Sequence, residues 1–170
     1  MESQILIREE READVDAIAE VTRSAFESLE ISNQTEHFIV AALRAAGALT
    51  LSLVAVLDDR IVGHIAISPV AISDGTQGWS GLGPVSVLPE LQQRGIGSAL
   101  IREGLSRLKG LGAAGCCLVG HPMYYRRFGF ENVSDLQLEG VPPDVFFALS
   151  FDGKLPKGKV SFHEGFGAKA

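Results

Sequence analysis

A β-rich run passes through a turn into a helix over Val85-Ser86-Val87-Leu88-Pro89-Glu90-Leu91-Gln92-Gln93-Arg94-Gly95-Ile96-Gly97-Ser98. Two glycines fall in the first turn of the predicted helix. Without side chains there, the backbone amides of residues 93–98 can approach an anion closely, and the helix dipole adds a positive partial charge. The stretch is therefore suited to a pyrophosphate, although close packing of the helix on the sheet explains the glycines equally well.

The helix and the next strand complete a crossover unit. Apolar residues at positions 96, 100, 101, 105 and 108 have helical spacing, which predicts a helix over about 93–109. A short apolar strand is expected at 116–119. Because a strand–helix–strand crossover joins parallel strands, the strands over 82–88 and 116–119 should run parallel.

The remaining segments predict an α+β fold, an α/β sandwich with a mixed, mostly antiparallel central sheet of about seven strands and flanking helices. Asp14 is a candidate N-cap for a first helix, and Asn33 with Glu36 three residues later predicts the start of a second helix that ends at Gly47. Runs over 50–57 and 61–72 predict an antiparallel hairpin. Further strands are expected at 5–7, 130–138, 145–151 and 160–162.

Length and composition favour one globular domain over 1–170, with a core at about 5–151 and a C-terminal strand and tail at 152–170. With 15 basic and 21 acidic residues the net charge is −6, so we expect no nucleic-acid partner. The longest nearly apolar stretch, 49–57, is too short to cross a membrane. Residues 1–4 are polar and do not resemble a signal peptide, which predicts a cytoplasmic location.

Two motifs carry a family resemblance. Gln92, Gly95 and Gly97 match the pattern Q/R-x-x-G-x-G/A, and Tyr125-Arg126-Arg127-Phe128-Gly129-Phe130 matches Y-x-x-x-G-F about 30 residues later. A nucleotide P-loop is excluded because no Lys-Ser or Lys-Thr follows a glycine, and a dinucleotide fingerprint fits poorly. In both motifs and in element order the chain resembles the GNAT superfamily of acetyl-coenzyme A dependent N-acetyltransferases.

The resemblance implies acetyl-CoA as cosubstrate, with no metal, in a cleft where the two parallel strands splay apart. The segment 81–84, Gly-Leu-Gly-Pro, suits the β-bulge that such a splay needs. The first strand would pair with the pantetheine amides, and the turn and helix start would hold the pyrophosphate. The cofactor-binding residues implied in this way are Val85, Ser86, Val87, Gln92, Gln93, Arg94, Gly95, Ile96, Gly97 and Ser98.

The resemblance also assigns a catalytic residue. Tyr125, four residues before Gly129, is implied as the acid that protonates the departing thiolate, with a role in core packing as the alternative for this tyrosine. The general base stays open between His64, His121, Glu36 and a water molecule. Many family members have an asparagine after the second cleft strand, and no residue here matches it.

The predicted reaction is transfer of the acetyl group to a primary amine by direct attack in a ternary complex. The acceptor would be a small-molecule or peptide amine, and a homodimer is compatible with the resemblance. Cys116 and Cys117 cannot form a disulfide framework or a zinc site and are expected to be buried, which disfavours a covalent intermediate. The alternative function is a non-catalytic acyl-CoA binding or sensing module with the same fold.

Overall fold

A computed structural model describes residues 4–27, 29 and 32–169. Residues 1–3, on which most of the signal-peptide argument rests, lie outside this part. The strands are β1 (Leu6–Glu9), β2 (Leu51–Leu57), β3 (Arg60–Ile72), β4 (Trp79–Val87), β5 (Gly115–Val119), β6 (Leu136–Leu138), β7 (Phe146–Ser150) and β8 (Gly158–Phe162). The α-helices are α1 (Val15–Phe26), α2 (Glu36–Ala45), α3 (Ile96–Gly110) and α4 (Pro122–Tyr125).

The strands form one mixed sheet. Its main path has the order β1-β2-β3-β4-β5-β7, and β8 pairs with both β3 and β6. Within the described part, β4–β5 and β6–β8 are parallel and the other strand pairs are antiparallel. The predicted α+β class and the parallel pair around the crossover are confirmed, and the sheet expected to have about seven strands has eight in the described residues.

Strand β4 bulges and then leaves β5. Ile65 lies opposite Val85 and Ile67 opposite Leu82, so two residues of β4 face one residue of β3. Pairing of β4 with β5 runs over three residue pairs, from Trp79–Gly115 to Gly81–Cys117, and stops at this bulge. The predicted bulge and splay are therefore both present, and they open a cleft between the far ends of the two strands.

Helices cover both faces of the sheet. Gly104 of α3 packs on the side chains of Ile65 and Ile67. On the opposite face, Ile18 of α1 and Val40 of α2 form a buried cluster with two small residues of β2 and β3. Alternating residues of β3 thus pack into hydrophobic cores on opposite faces of the sheet. This explains why the 13-residue strand is apolar along almost its whole length.

Two helix starts differ from the sequence prediction. Helix α3 begins at Ile96 rather than at residue 93, because Gln93 and Gly95 have left-handed φ angles of 64° and 88°. Helix α2 has Thr35, not Asn33, at its N-cap position, and Ser32 donates a hydrogen bond to the Glu36 carboxylate. In both places a local hydrogen bond or a turn overrides the simple capping pattern.

The segment 130–138 is mostly a loop rather than the expected strand. Glu131 makes a single bridge to Ala148, and regular pairing starts only at β6. The side-chain amide of Asn132 donates to the carbonyls of Pro143 and Phe146 at 3.0 and 2.9 Å. These bonds tie the segment to the first residue of β7 and to the turn before it without a ladder, so the apolar alternation here reflects packing and not strand pairing.

Candidate active site

The cleft between the splayed strands has a volume of about 590 Å³, within the usual range for a small-molecule site. The sequence-predicted residues Val85, Val87, Gln92, Gln93, Gly95, Ile96, Gly97, Ser98 and Tyr125 all line it. Of the other two, Arg94 is exposed on the turn, and Ser86 is buried with 1% exposure. Residues outside the predicted set also line the cleft: Ala25, Phe26, Leu29, Leu91, Tyr124 and Arg127.

One end of the cleft is the N-terminus of α3. The left-handed residues Gln93 and Gly95 turn the chain so that α3 starts at the cleft wall, and no side chain caps its first turn. The first N–H groups of an α-helix have no partner within the helix, and here the residues that carry them line the cleft. This end is built to accept an anionic group.

The glycines of α3 have different packing roles. A Cβ atom added at Gly97 would come no closer than 3.5 Å to the Tyr124 hydroxyl and 3.8 Å to Val87, which is ordinary contact. A Cβ atom at Gly104 would lie 3.2 Å from Ile67. Packing of α3 on the sheet therefore explains the glycine at position 104 but not the one at position 97. A side chain at position 97 would instead occupy the cleft.

The side chain of Gln92 ties the turn to the cleft strand. Its Nε2 donates to the carbonyl oxygen of Val87 at 3.0 Å, and the next residue, Leu88, donates its N–H to β3. Because backbone groups alternate in direction along a strand, the N–H of Val87 and both backbone groups of Val85 face the open side. This edge has the pattern of donors and acceptors that an extended amide-bearing ligand can pair with.

Two tyrosines, Tyr124 and Tyr125, also line the cleft. The ring of Tyr125 packs against the backbone of Gly120 and edge-on to Tyr124, whose ring centroid is 4.9 Å away. Burial, with a smaller contribution from Tyr124, raises the pKa of Tyr125 to about 12. The hydroxyl of Tyr124 lies 3.1 Å from the Ser98 Oγ atom. Tyr125 is thus a neutral hydrogen-bond donor at physiological pH, held by an aromatic cluster.

The three side-chain candidates for the general base occupy different environments. His121 is exposed, and its Nδ1 accepts from the N–H of Met123, so it caps α4. Both carboxylate oxygens of Glu36 accept from the Ser32 hydroxyl. His64 is fully buried in β3, and its Nε2 lies 2.8 Å from the Ser52 Oγ atom. None of these three side chains lines the cleft.

His64 makes the stability of the protein depend on pH. Burial lowers its pKa from 6.5 to about 4, with Glu10 opposing and Arg44 reinforcing the shift. An unfolded chain binds a proton at this histidine below pH 6.5, while the folded chain stays neutral to about pH 4. The free energy of unfolding should therefore fall by a total of about 3 kcal/mol as the pH drops through this window.

Urea unfolding at pH 7 and at pH 4.5 checks this expectation. The wild type should lose more stability between the two pH values than a His64→Gln variant, which has no imidazole to titrate. Equal losses in both proteins would contradict the assignment of this pH dependence to His64.

Comparisons with known proteins identify the family of this chain. The model of the Acetyltransferase (GNAT) domain matches residues 6–133. The chain belongs to the GNAT acetyltransferase family. An uncharacterized N-acetyltransferase of Escherichia coli K12, YhbS, is 37% identical over 169 residues, which cover 95% of this chain and 98% of that protein.

Solved GNAT structures show the same fold. A GNAT family acetyltransferase from Brucella melitensis, in complex with acetyl-CoA, has a TM-score of 0.87 and 50% identity over 96% of this chain and 98% of its own. The crystal structure of Escherichia coli YhbS in complex with CoA has a TM-score of 0.89 and 31% identity over 100% of this chain and 96% of its own. The resemblance inferred from Gly95, Gly97 and Tyr125 is thereby confirmed at the level of the family.

The vicinal cysteines of this GNAT domain lie in the sheet core. Cys116 and Cys117 are both fully buried. Burial raises the pKa of Cys117 to about 12 and that of Cys116 well above its usual value. A thiol in such a setting is a poor nucleophile, because the thiolate is the reactive form.

A Cys117→Ala variant should therefore keep its acetyl-transfer rate within about twofold of the wild type while losing some stability, since a small buried side chain is removed. Turnover and thermal unfolding of the purified variant measure the two effects. Complete loss of turnover in a folded variant would point to a covalent acetyl-cysteine intermediate.

Two structural features are absent from residues 4–27, 29 and 32–169. No three His, Cys, Asp or Glu side chains lie close enough together to hold a metal ion. No helix in the same part of the chain is long and apolar enough to span a membrane.

Proposed function

We propose that this protein transfers the acetyl group of acetyl-CoA to a primary amine, by direct attack of the amine on the thioester in a ternary complex. The observation that carries the proposal is the union in one cleft of an uncapped helix N-terminus, an unpaired strand edge and a tyrosine hydroxyl. Family membership and the acetyl-CoA and CoA complexes of two relatives support it.

Each part of the cleft has a role in this proposal. The amides of the α3 N-terminus bind the pyrophosphate, and Arg127, which lines the same cleft, adds a positive charge. The edge of Val85 and Val87 pairs with the pantetheine amides. The pantetheine arm then places its thioester between the splayed strands, near Tyr125.

Tyr125 donates a hydrogen bond to the sulfur as the C–S bond breaks. With its pKa near 12, full proton transfer to a thiolate of ordinary pKa, about 8.5, is uphill, so the hydroxyl stabilises the thiolate before the proton moves. This refines the acid role that the sequence suggests, because burial makes the phenol a weaker acid than a free tyrosine.

Calorimetric titration with acetyl-CoA, followed by a thiol-release assay with a panel of primary amines, tests the proposal. We expect micromolar binding and amine-dependent release of CoA. Binding without thiol release for any amine would favour a non-catalytic acyl-CoA binding module. No binding by the folded protein would remove the proposed function altogether.

A further inference from the structure

A line of buried polar side chains crosses the sheet beside the cleft. It starts at Ser86 on β4, passes His64 on β3 and Ser52 on β2, and ends at Glu10, which follows β1. Ser52 and His64 both bury more than nine-tenths of their surface. Polar groups at this depth cost free energy unless each is satisfied, so their alignment calls for a reason.

The hydrogen bonds of this line fix the direction of each donor. Glu10 can only accept, because its bonds with Arg44 and Ser52 outweigh the effect of burial and lower its pKa, which keeps it ionised. The Ser52 hydroxyl therefore donates to Glu10, and its oxygen accepts from His64. His64 then carries its proton on Nε2, and its Nδ1 presents a lone pair.

The inner end of the line has an unsatisfied acceptor beside an unsatisfied donor. His64 Nδ1 and Ser86 Oγ are both buried and have no hydrogen-bond partner within the described residues. The two residues are direct partners across β3 and β4, so their side chains share one face of the sheet. A χ1 rotation of Ser86 would be needed to bring the two groups into hydrogen-bond contact. Ser86 lies between the cleft-lining residues Val85 and Val87 in sequence, and its side chain is on the opposite face of β4 from theirs, the face that α1 covers.

The outer end of the line reaches solvent. Glu10 and Arg44 form an ion pair of 2.9 Å, with side-chain exposures of 19% and 25%. Together with Ser52 they line a surface hollow of about 340 Å³. The line thus connects the cleft strand to water on the other side of β2.

The proposed reaction needs such an exit. A primary ammonium group has three N–H bonds and the product amide keeps one. The C–N bond forms, the C–S bond breaks, and one of the two released protons ends on the CoA sulfur. The other proton must leave the cleft for solvent in every turnover.

We propose that Ser86, His64, Ser52 and Glu10 form a proton relay that carries this second proton from the cleft strand to the hollow beside Arg44. The inference rests on the proposed function. In this relay Ser86 takes up the proton that leaves the amine and passes its own hydroxyl proton to Nδ1 of His64. His64 then gives its Nε2 proton to Ser52, Ser52 passes its own proton to Glu10, and Glu10 releases it to water in the hollow. The residues beyond the cleft act through one another, so they are positioning and relay residues rather than catalytic ones.

The surroundings of His64 disfavour its protonated form, so His64 passes a proton on and does not hold it. The groups that face it are the hydroxyls of Ser52 and Ser86 and, further out, Glu10 and Arg44. Helices α1 and α2 cover this face with apolar side chains. A buried imidazolium there is short-lived, because its pKa is about 4.

A matched pair of serine variants tests the relay. Ser52→Ala should lower kcat about tenfold and raise the solvent deuterium isotope effect on kcat, while the acetyl-CoA Kd stays unchanged. Ser52→Thr, which keeps a hydroxyl, should restore the rate. Ser68→Ala is the control, because Ser68 is a buried serine of the same face of β3 that stands outside the line. A Ser52→Ala variant with wild-type kcat and isotope effect would overturn the relay.

Nitrogen-15 NMR of histidine-labelled protein provides a reading that does not depend on turnover. We expect His64 as the neutral tautomer with its proton on Nε2 at pH 7, and a changed Nε2–H signal in Ser52→Ala. A proton on Nδ1, or an imidazolium at pH 7, overturns the relay even when the enzyme is active. Failure of the wild type to bind acetyl-CoA instead overturns the proposed function and the relay together.

Discussion

A Gly97→Leu variant should bind acetyl-CoA at least about 100-fold more weakly than the wild type, a loss of about 2.7 kcal/mol in binding free energy. The reason is that the side chain would enter the cleft between Tyr124 and Val87, whose nearest atoms lie 3.5 and 3.8 Å from the added Cβ. The fold should tolerate the change, since leucine is a better helix former than glycine by somewhat less than about 1 kcal/mol. Calorimetric titration and urea unfolding measure the two quantities.

Leucine at Gly104 of the same helix should have the opposite effects, a lower stability and an unchanged affinity for acetyl-CoA. There the new side chain meets Ile67 at the sheet, so Gly104→Leu should lower the free energy of unfolding by about 1–3 kcal/mol. The affinity of its folded fraction should stay close to that of the wild type. If Gly97→Leu bound acetyl-CoA normally, the glycines would return to a role in packing or turn geometry and the proposed pyrophosphate site would be lost.

Tyr125→Phe should lower the rate of acetyl transfer by about 10- to 100-fold, with little change in the KM for acetyl-CoA. Only the hydroxyl is removed, and the ring contacts with Gly120, Phe130 and Phe147 remain. Single-turnover measurements are the appropriate readout, because product release can limit kcat.

Tyr124→Phe is the matched control in the same aromatic cluster. It removes the hydroxyl that lies 3.1 Å from Ser98, so its effect should appear in the KM for acetyl-CoA more than in the transfer rate. A larger loss of transfer rate in Tyr124→Phe than in Tyr125→Phe would move the thiolate-stabilising role from Tyr125 to Tyr124.

The sequence predicted those parts of the site that depend on local chain geometry. A crossover unit with glycines after its first strand specifies a parallel pair, a helix N-terminus and the cleft between them. The bulge before Val85 followed from glycine and proline, which tolerate or enforce a break in a ladder. Periodicity and turn chemistry act over a few residues, and a sequence records them directly.

Contacts between distant residues were not predictable in this way. Ser52 lies 42 residues from Glu10, and no spacing rule brings them together. The start of α3 at Ile96 depends on a left-handed Gln93, although a non-glycine residue seldom adopts such a φ angle. Tyr124 and Tyr125 are adjacent, and only the folded structure distinguishes them, since it places the first hydroxyl beside Ser98 and packs the second ring on Gly120.

The divergence of β4 from β5 also exposes the protein to aggregation. Beyond Gly81 and Cys117 two strand edges face each other without a ladder, and unpaired edges attract strands of other chains. A ligand that hydrogen-bonds along Val85 and Val87 would cover one of these edges. Solubility would then rise and fall with the supply of that ligand, and resistance to aggregation would be a property of the complex rather than of the polypeptide alone.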